Sequence, residues 1–128
     1  MFKKTLAAAI LLGCGLAQAF MPQSGSWVVN SELDGKPGRG MVVDAQNGTV
    51  ALQMYAYEND GRPTFFLAAG PLVSNRFSGP LTRYSGGRYF GSGPRSGVEA
   101  GSPGQVSVRF TSGISGFITF PGEPEVAI

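Results

Sequence analysis

The residues of this chain that could do chemistry are few, and most of them are carboxylates. The 128-residue sequence has no histidine and one cysteine. This excludes Ser-His-Asp and Cys-His nucleophile systems and zinc sites built from His and Cys. A hydrolase that uses two carboxylates needs them about 5–10 Å apart. Asp44, Glu58 and Glu99 are the candidates, and nothing in their spacing brings two together. The sequence therefore predicts a non-enzymatic protein, with a carboxylate hydrolase ranked last.

Metal and cofactor sites have no clear signature either. The oxygen-rich run Glu58-Asn59-Asp60 could offer ligands to calcium, but Asn and Asp before Gly61 are also the residues of a tight turn. The glycines of residues 91–97 (GSGPRSG) do not form a phosphate-binding loop, since neither a Lys-Ser/Thr pair nor a helical pattern follows them. We expect neither a metal nor a cofactor.

Aromatic side chains are the main remaining resource for recognition. In residues 48–57 (GTVALQMYAY), Tyr55 and Tyr57 share the polar face of a predicted strand with Gln53. They are therefore candidates for contact with a ligand or a partner. The alternative for all the rings of this chain is core packing, which large rings do well. The rings assigned to the core are Trp27, Phe65, Phe110 and Phe120.

A second candidate contact lies in residues 85–103 (SGGRYFGSGPRSGVEAGSP), which interrupt the strand pattern. The stretch presents Arg88, Tyr89 and Phe90. Arginine beside aromatic rings gives cation–π contacts, and both residue types are enriched in binding hot spots. Long segments without regular structure are often functional. The stretch is either a flexible surface loop or a contact loop that uses these three residues.

The first nineteen residues predict export. A basic start, KK at 3–4, precedes the apolar run TLAAAILL at 5–12, and AQA at 17–19 is a small-x-small cleavage site. Cleavage after Ala19 leaves Phe20 as the first residue of a protein in the periplasm or outside the cell.

A lipid anchor is the alternative. The LLGC at residues 11–14 resembles a bacterial lipobox, in which Cys14 would be lipidated and would tether the protein to the envelope. Leu12 is large for its position in that motif. The apolar run is much shorter than the roughly 20 residues that a membrane span needs, so no span is predicted in the mature chain.

Cleavage would leave a chain without net charge. Lys3 and Lys4 are two of the ten basic residues, so eight remain against eight acids, and the formal charge falls from +2 to zero. Nucleic-acid binding depends on clustered positive charge, so we expect no nucleic-acid partner. No cysteine would remain for a disulfide, so the mature chain has to be stabilised by packing.

The hydrophobic pattern of residues 20–128 has a period of two, which predicts an all-β domain. In GQVSVRFT at 104–111, Val106, Val108 and Phe110 point one way and polar residues the other. Pro80 suggests an edge or a bulge. Turns are predicted at Asn47-Gly48, at residues 59–61 and at residues 111–113. The strands are predicted at 27–30, 40–45, 48–57, 64–70, 76–84, 104–111, 114–120 and 126–128.

Successive hairpins of about eight strands predict a single domain, an antiparallel up-and-down meander in a curled sheet or small barrel. A β-sandwich is the alternative.

A set of motifs runs through residues 24–120. Gly25-x-Trp27 opens it, GRG follows at 38–40, and YENDGRPTFF stands at 57–66. These motifs, with the later Gly-Pro-Leu runs, resemble a family of exported bacterial β-rich modules whose pattern is G-x-W, G-x-G and Y-x-x-D-G-x-P-x-W. Phe65 stands where tryptophan is common. The resemblance implies a fold type and a compartment, and no activity.

Taken together, the sequence predicts a non-enzymatic exported β module of the envelope or the medium. Its binding partner is a protein, a glycan or a small apolar ligand, and the sequence does not decide among these three. The alternatives are a lipoprotein anchored through Cys14 and a purely structural module.

Overall fold

A computed structural model describes residues 20–128, which form an all-β fold built around one antiparallel sheet. A 3₁₀ turn at Asn30–Glu32 follows the first strand. Residues 20–128 contain no α-helix. The predicted signal peptide, its cleavage residue Ala19 and Cys14 lie outside the described residues. No helix in the described part of the chain is long and apolar enough to cross a membrane. The strands are β1 (Gly25–Val28), β2 (Gly40–Gln46), β3 (Thr49–Tyr57), β4 (Pro63–Pro71), β5 (Arg76–Ser85), β6 (Val98–Glu99), β7 (Gly104–Ser112), β8 (Ser115–Thr119) and β9 (Val126–Ala127).

The strand order confirms the predicted meander. Along the sheet it reads β1-β2-β3-β4-β5-β7-β8-β9, and the short β6 pairs with the end of β5. Every pairing is antiparallel. The sheet curls into a half-barrel. In the described chain, β1 and β9 stand at opposite ends of this order, so the barrel does not close.

Two hairpin turns use backbone conformations with positive φ. Asn47 (φ 48°) and Gly48 (φ 73°) form the predicted two-residue connection, since Gln46 pairs with Thr49. The turn between β4 and β5 has the same form, with Ser74 at φ 49° and Asn75 at φ 61°. The sequence did not predict this second turn because neither residue is glycine, and positive φ is uncommon for other residues.

Two other predicted turns differ in length or position. Residues 58–62 form a five-residue loop, because Tyr57 pairs with Pro63. Inside this loop the Asp60 carboxylate accepts a hydrogen bond from the Arg62 backbone N–H at 3.1 Å, and Glu58 N–H donates to the Arg62 carbonyl oxygen at 2.8 Å. The turn predicted at 111–113 lies one residue later, and a register shift just before it marks a β-bulge.

The core fills the concave side of the sheet. Trp27 packs edge-on against Phe110 at 5.4 Å between ring centroids, and its indole Nε1 donates to the Gln23 carbonyl oxygen at 2.9 Å. Trp27, Phe110 and Phe120 are buried, as predicted. The fully buried large side chains are Phe77, Leu52, Met54, Ile118, Val29, Val43, Val50 and Val106.

Strand β5 changes partner along its length and so curls the sheet. Its first six residues pair with β7, residues Thr82 and Arg83 pair with β4, and its last two pair with β6. Although β5 is an interior strand, Pro80 pairs only with Gln105 of β7 and so lies at a local edge, one of the two positions that this proline suggested. Pro80 is accommodated because the ladder with β4 stops at Thr82, two residues away.

Candidate functional site

The convex face of β3 and β4 carries exposed aromatic rings. Tyr55 and Tyr57 point outward and are 49% and 47% exposed, as their place on the polar face of the pattern predicted. Tyr55 lies opposite Phe65 in the ladder between β3 and β4. Phe65 is 46% exposed, so its assignment to the core is wrong. In the run Phe65-Phe66 only one ring can face the concave side, and the register gives that place to Phe66.

We define the aromatic platform as Tyr55, Tyr57, Phe65, Leu67 and Tyr84. Phe65 stacks on Tyr84 of β5, with ring centroids 6.4 Å apart and planes within 13° of parallel. The Tyr55 hydroxyl donates to Gln53 Oε1 at 3.2 Å, so the amide of Gln53 lies at the border of the platform. Leu67 pairs with Thr82. All five platform side chains are exposed, so three strands together present one amphipathic surface.

A shallow groove of about 380 Å³ continues the platform on the same face. None of the residues that line it is Asp, Glu, Lys or Arg, so it carries no formal charge at neutral pH. Small side chains at Ala51 and Ala69 form its floor, since these two residues lie opposite each other in the ladder. The outward-facing residues that line the groove are Ala51, Gln53, Leu67, Ala69, Pro80, Thr82 and Tyr84.

The surface under the platform is rigid. The ladder between β3 and β4 is continuous over nine residue pairs, from Thr49 with Pro71 to Tyr57 with Pro63. Below it, on the concave side, Met54 and Leu52 are fully buried. The backbone positions that carry the rings are therefore fixed before any partner arrives, which lowers the entropic cost of binding.

The predicted contact loop is ordered by its own hydrogen bonds and lies beyond the end of β5. The Tyr89 backbone N–H donates to Ser92 Oγ at 3.1 Å, and Ser92 N–H donates to the Tyr89 carbonyl oxygen at 3.0 Å. Arg88 Nη2 donates to the Ser92 carbonyl oxygen at 3.2 Å, and the Arg95 guanidinium lies 5.6 Å from the Tyr89 ring centroid. Phe90 stands fully exposed at the tip. None of Arg88, Tyr89 and Phe90 is a platform residue, although the same stretch returns to the platform at β6, where Glu99 pairs with Tyr84.

An open cleft of about 560 Å³ lies at one end of the half-barrel. Its apolar floor is formed by buried side chains, among them Met54, Phe66 and Phe120. The Arg39 guanidinium lies 4.1 Å above the Phe120 ring centroid, and the Arg83 guanidinium lies 5.3 Å from that of Phe66. Sequence reasoning missed this cleft, because its walls come from segments far apart in the chain.

Both arginines of the cleft are occupied by carboxylates. Arg83 makes a two-pronged ion pair with Glu58, at 2.7 Å from Nε and 3.1 Å from Nη2. Arg39 contacts Glu32 at 2.5 Å through Nη2, and Glu123 at 2.8 Å through Nη1. The hydrogen bond from Arg39 lowers the pKa of Glu32, and the same bond raises the pKa of Arg39. Among the described residues that line the cleft, both guanidinium groups are therefore paired with carboxylates and are not available to an anionic ligand.

The carboxylates considered for hydrolysis have separate partners. Glu58 is paired with Arg83, whereas Asp44 accepts hydrogen bonds from Ser24 Oγ at 3.3 Å and from the Gln46 amide at 2.9 Å. Glu99 lies in β6 opposite Tyr84.

The acidic turn after β3 is held by an arginine. A hydrogen bond from Arg62 lowers the pKa of Asp60. Between residues 20 and 128 no three His, Cys, Asp or Glu side chains are grouped closely enough to hold a metal ion.

Comparison of the chain with family models, with curated proteins and with solved structures finds no match. The likeness to exported β modules therefore stays a resemblance of motifs. The platform, with its groove, is the surface on which a function can be built from the geometry.

Proposed function

We propose that this protein is an exported, non-enzymatic binding module and that the aromatic platform is its contact surface. The carrying observation is the position of Tyr55, Phe65 and Tyr84 on the outer face of a sheet whose inner face already has a complete core. In a half-buried antiparallel sheet, that outer face is usually polar. Contiguous exposed apolar patches on soluble domains mark interaction sites.

The platform suits recognition more than stability. Tyrosine and phenylalanine have few rotatable bonds, so they offer large contact areas at a small entropic cost. Phe65 and Tyr84 cover each other only in part, since both remain more than a third exposed. A partner that covered the remaining ring surface would gain roughly 25 cal/mol per Å² of apolar area removed from water.

Contact on the outside is favoured over a ligand held inside. Away from the end cleft the concave side is filled by the core side chains, and Val106 and Ile118 have no accessible surface. In the cleft itself, Arg39 and Arg83 lie over the apolar floor and are paired with carboxylates. A purely structural module would also have such a core, but it would have no use for exposed rings on a rigid ladder. Export follows from the sequence of residues 1–19, with anchoring through Cys14 as the alternative.

A pull-down with matched variants tests the platform. The purified domain, immobilised, is exposed to an envelope extract of its own producing cells, and captured protein and carbohydrate are both measured. We expect Phe65→Thr with Tyr84→Thr to lower capture of the main partner at least tenfold. Threonine retains high β-propensity, so the strands should persist.

The control is a variant with two other exposed apolar residues replaced. Leu33→Thr with Ile114→Thr removes side chains that are 67% and 73% exposed but lie outside the platform. Capture should be unchanged in this control. Equal capture by the wild-type domain and by the platform variant would exclude the platform as the contact surface.

A further inference from the structure

We infer that the occupant of the platform and its groove is a neutral glycan chain. This rests on the proposed function, because it names the chemistry of the partner that the platform contacts. Four properties of the surface carry it: its charge, its mixture of chemical groups, its size and its rigidity.

The surface is uncharged. None of the groove residues carries a formal charge at neutral pH, and the five platform residues are Tyr, Phe and Leu. The nearest acids in the ladders are Glu99, opposite Tyr84 at the end of β5, and Asp44, opposite Ala51, which is engaged by Ser24 and Gln46. Arg83 turns toward Glu58 at the end cleft instead. An acidic polymer would find no cationic group on this surface to offset the free-energy cost of its own desolvation, and Glu99 would repel it.

The chemical groups match those of a sugar ring. A sugar has an apolar face of C–H groups and a rim of hydroxyls. The negative face of an aromatic ring attracts the positive C–H edge, and Phe65 and Tyr84 provide such rings. The hydroxyls need donors and acceptors beside them, which the amide of Gln53 and the hydroxyl of Thr82 supply at the border of the same surface.

The size of the surface favours a chain of sugars over a folded protein. From the row of Tyr57 to the row of Ala51 it extends six residues along a strand, about 20 Å at about 3.4 Å per residue. It covers three strands, about 10 Å across at their usual spacing. A strip of these proportions suits a narrow linear chain, whereas a standard protein interface buries about 800 Å² of accessible surface on each partner.

The floor of the groove allows close approach. Ala51 and Ala69 place only methyl groups above the ladder, between the larger Leu67 and Pro80. A chain lying along β3 and β4 could therefore rest against the backbone ridge while its apolar faces meet the rings. Because the ladder is continuous, this path stays fixed when the ligand is absent.

The experiment measures binding of the purified domain to insoluble polysaccharides. The neutral probes are cellulose, starch, a β-1,3-glucan and chitin, and the acidic probes are alginate and polygalacturonate. We expect retention on at least one neutral probe and none on the acidic ones. Retention should not change between low and high salt, because no charge pair contributes.

Variants connect that binding to the platform. Phe65→Thr and Tyr84→Thr should each weaken retention about tenfold, and Gln53→Ala severalfold, with unchanged far-UV circular dichroism. The Leu33→Thr, Ile114→Thr control should bind as the wild type does. Failure of every neutral probe, tighter binding to an acidic probe, or an equal loss in the control would each overturn the inference.

Two outcomes separate this inference from the proposed function. One outcome is that no polysaccharide binds, while Phe65→Thr and Tyr84→Thr abolish capture of a protein from the envelope extract. The inference of a glycan ligand would then be wrong, and the platform would be a protein-binding surface. A dimer seen in sedimentation and lost in these variants would replace the glycan with a second copy of the chain. If no measurement responds to the platform variants, both proposals fail.

Discussion

Phe65 and Phe66 show how neighbouring identical side chains take opposite roles. Phe66 is 6% exposed and packs within the core under Arg83, whereas Phe65 is 46% exposed and stacks on Tyr84. Alternation along a strand makes this inevitable, but composition alone does not say which ring is inside. Tyr55 and Tyr57 could be placed outward from the sequence because apolar residues alternate with them. Phe65 could not, because residues 65–69 (FFLAA) are apolar on both faces of the strand.

The pair provides a direct stability test. Phe66→Ala should cost about 3–5 kcal/mol, the usual range for emptying a buried phenylalanine site. Phe65→Thr should cost less than about 1 kcal/mol, since surface changes away from special features are small. Urea unfolding of both variants measures the difference. A larger loss for Phe65→Thr than for Phe66→Ala would mean that the register of β4 is shifted by one residue.

Strand β7 also has neighbouring residues that face opposite sides of the sheet, so the two faces of this strand can be compared. Val108 is buried opposite Phe77 and Ile118, while Ser107 faces outward with its Oγ 3.2 Å from that of Ser78. Val108→Asp should unfold the domain, because an unpaired carboxylate in an apolar core costs several kcal/mol. Ser107→Asp should be mild, with a urea midpoint close to that of the wild type. A folded Val108→Asp domain, seen by far-UV circular dichroism, would contradict the assigned inner face.

The strands themselves were predictable because their signal is local. Period-two patterning and glycine-containing turns are local features of a few adjacent residues. They located eight of the nine strands in residues 20–128 to within about two residues at either end. Strand β6 was missed because two residues show no period. The end cleft was missed because it depends on pairs such as Arg39 with Glu123, 84 residues apart, which no local pattern indicates.

Arg39 links the two ends of the open sheet through ion pairs. Its guanidinium joins Glu32, in the 3₁₀ turn after β1, to Glu123, in the connection between β8 and β9. In the described residues no ladder joins β1 to β9, so this ion-pair group adds to the few links across the opening, such as the hydrogen bond from Gln23 N–H to the Gly113 carbonyl oxygen at 2.8 Å. Its contribution should depend on pH, because the hydrogen bond from Arg39 lowers the pKa of Glu32 from its ordinary value of 4.5.

The sign follows from that direction. A carboxyl group whose pKa is lower in the folded protein than in the unfolded chain stabilises the fold at pH values above its unfolded-state pKa. This stabilisation is lost as the pH falls through the folded-state pKa. We therefore expect the urea midpoint to fall below about pH 4.5. Glu32→Gln should lower the midpoint near pH 7 and match the wild type near pH 2. The remaining slope comes in part from Asp60 and Glu125, whose pKa values hydrogen bonds from Arg62 and Arg109 lower in the same way. An equal loss at both pH values would exclude an ionic role for Glu32.

The meander also has a consequence for how fast the chain folds. Except at the excursion between β5 and β7, each strand pairs with the next strand in sequence. Folding rates of small domains rise as the average sequence separation of contacting residues falls, because each loop closure costs entropy before its contacts form. A Greek-key arrangement of the same strands would have to close much longer loops. We therefore expect this β protein to fold near the fast end of its class, with closure of residues 86–103 as its slowest local step.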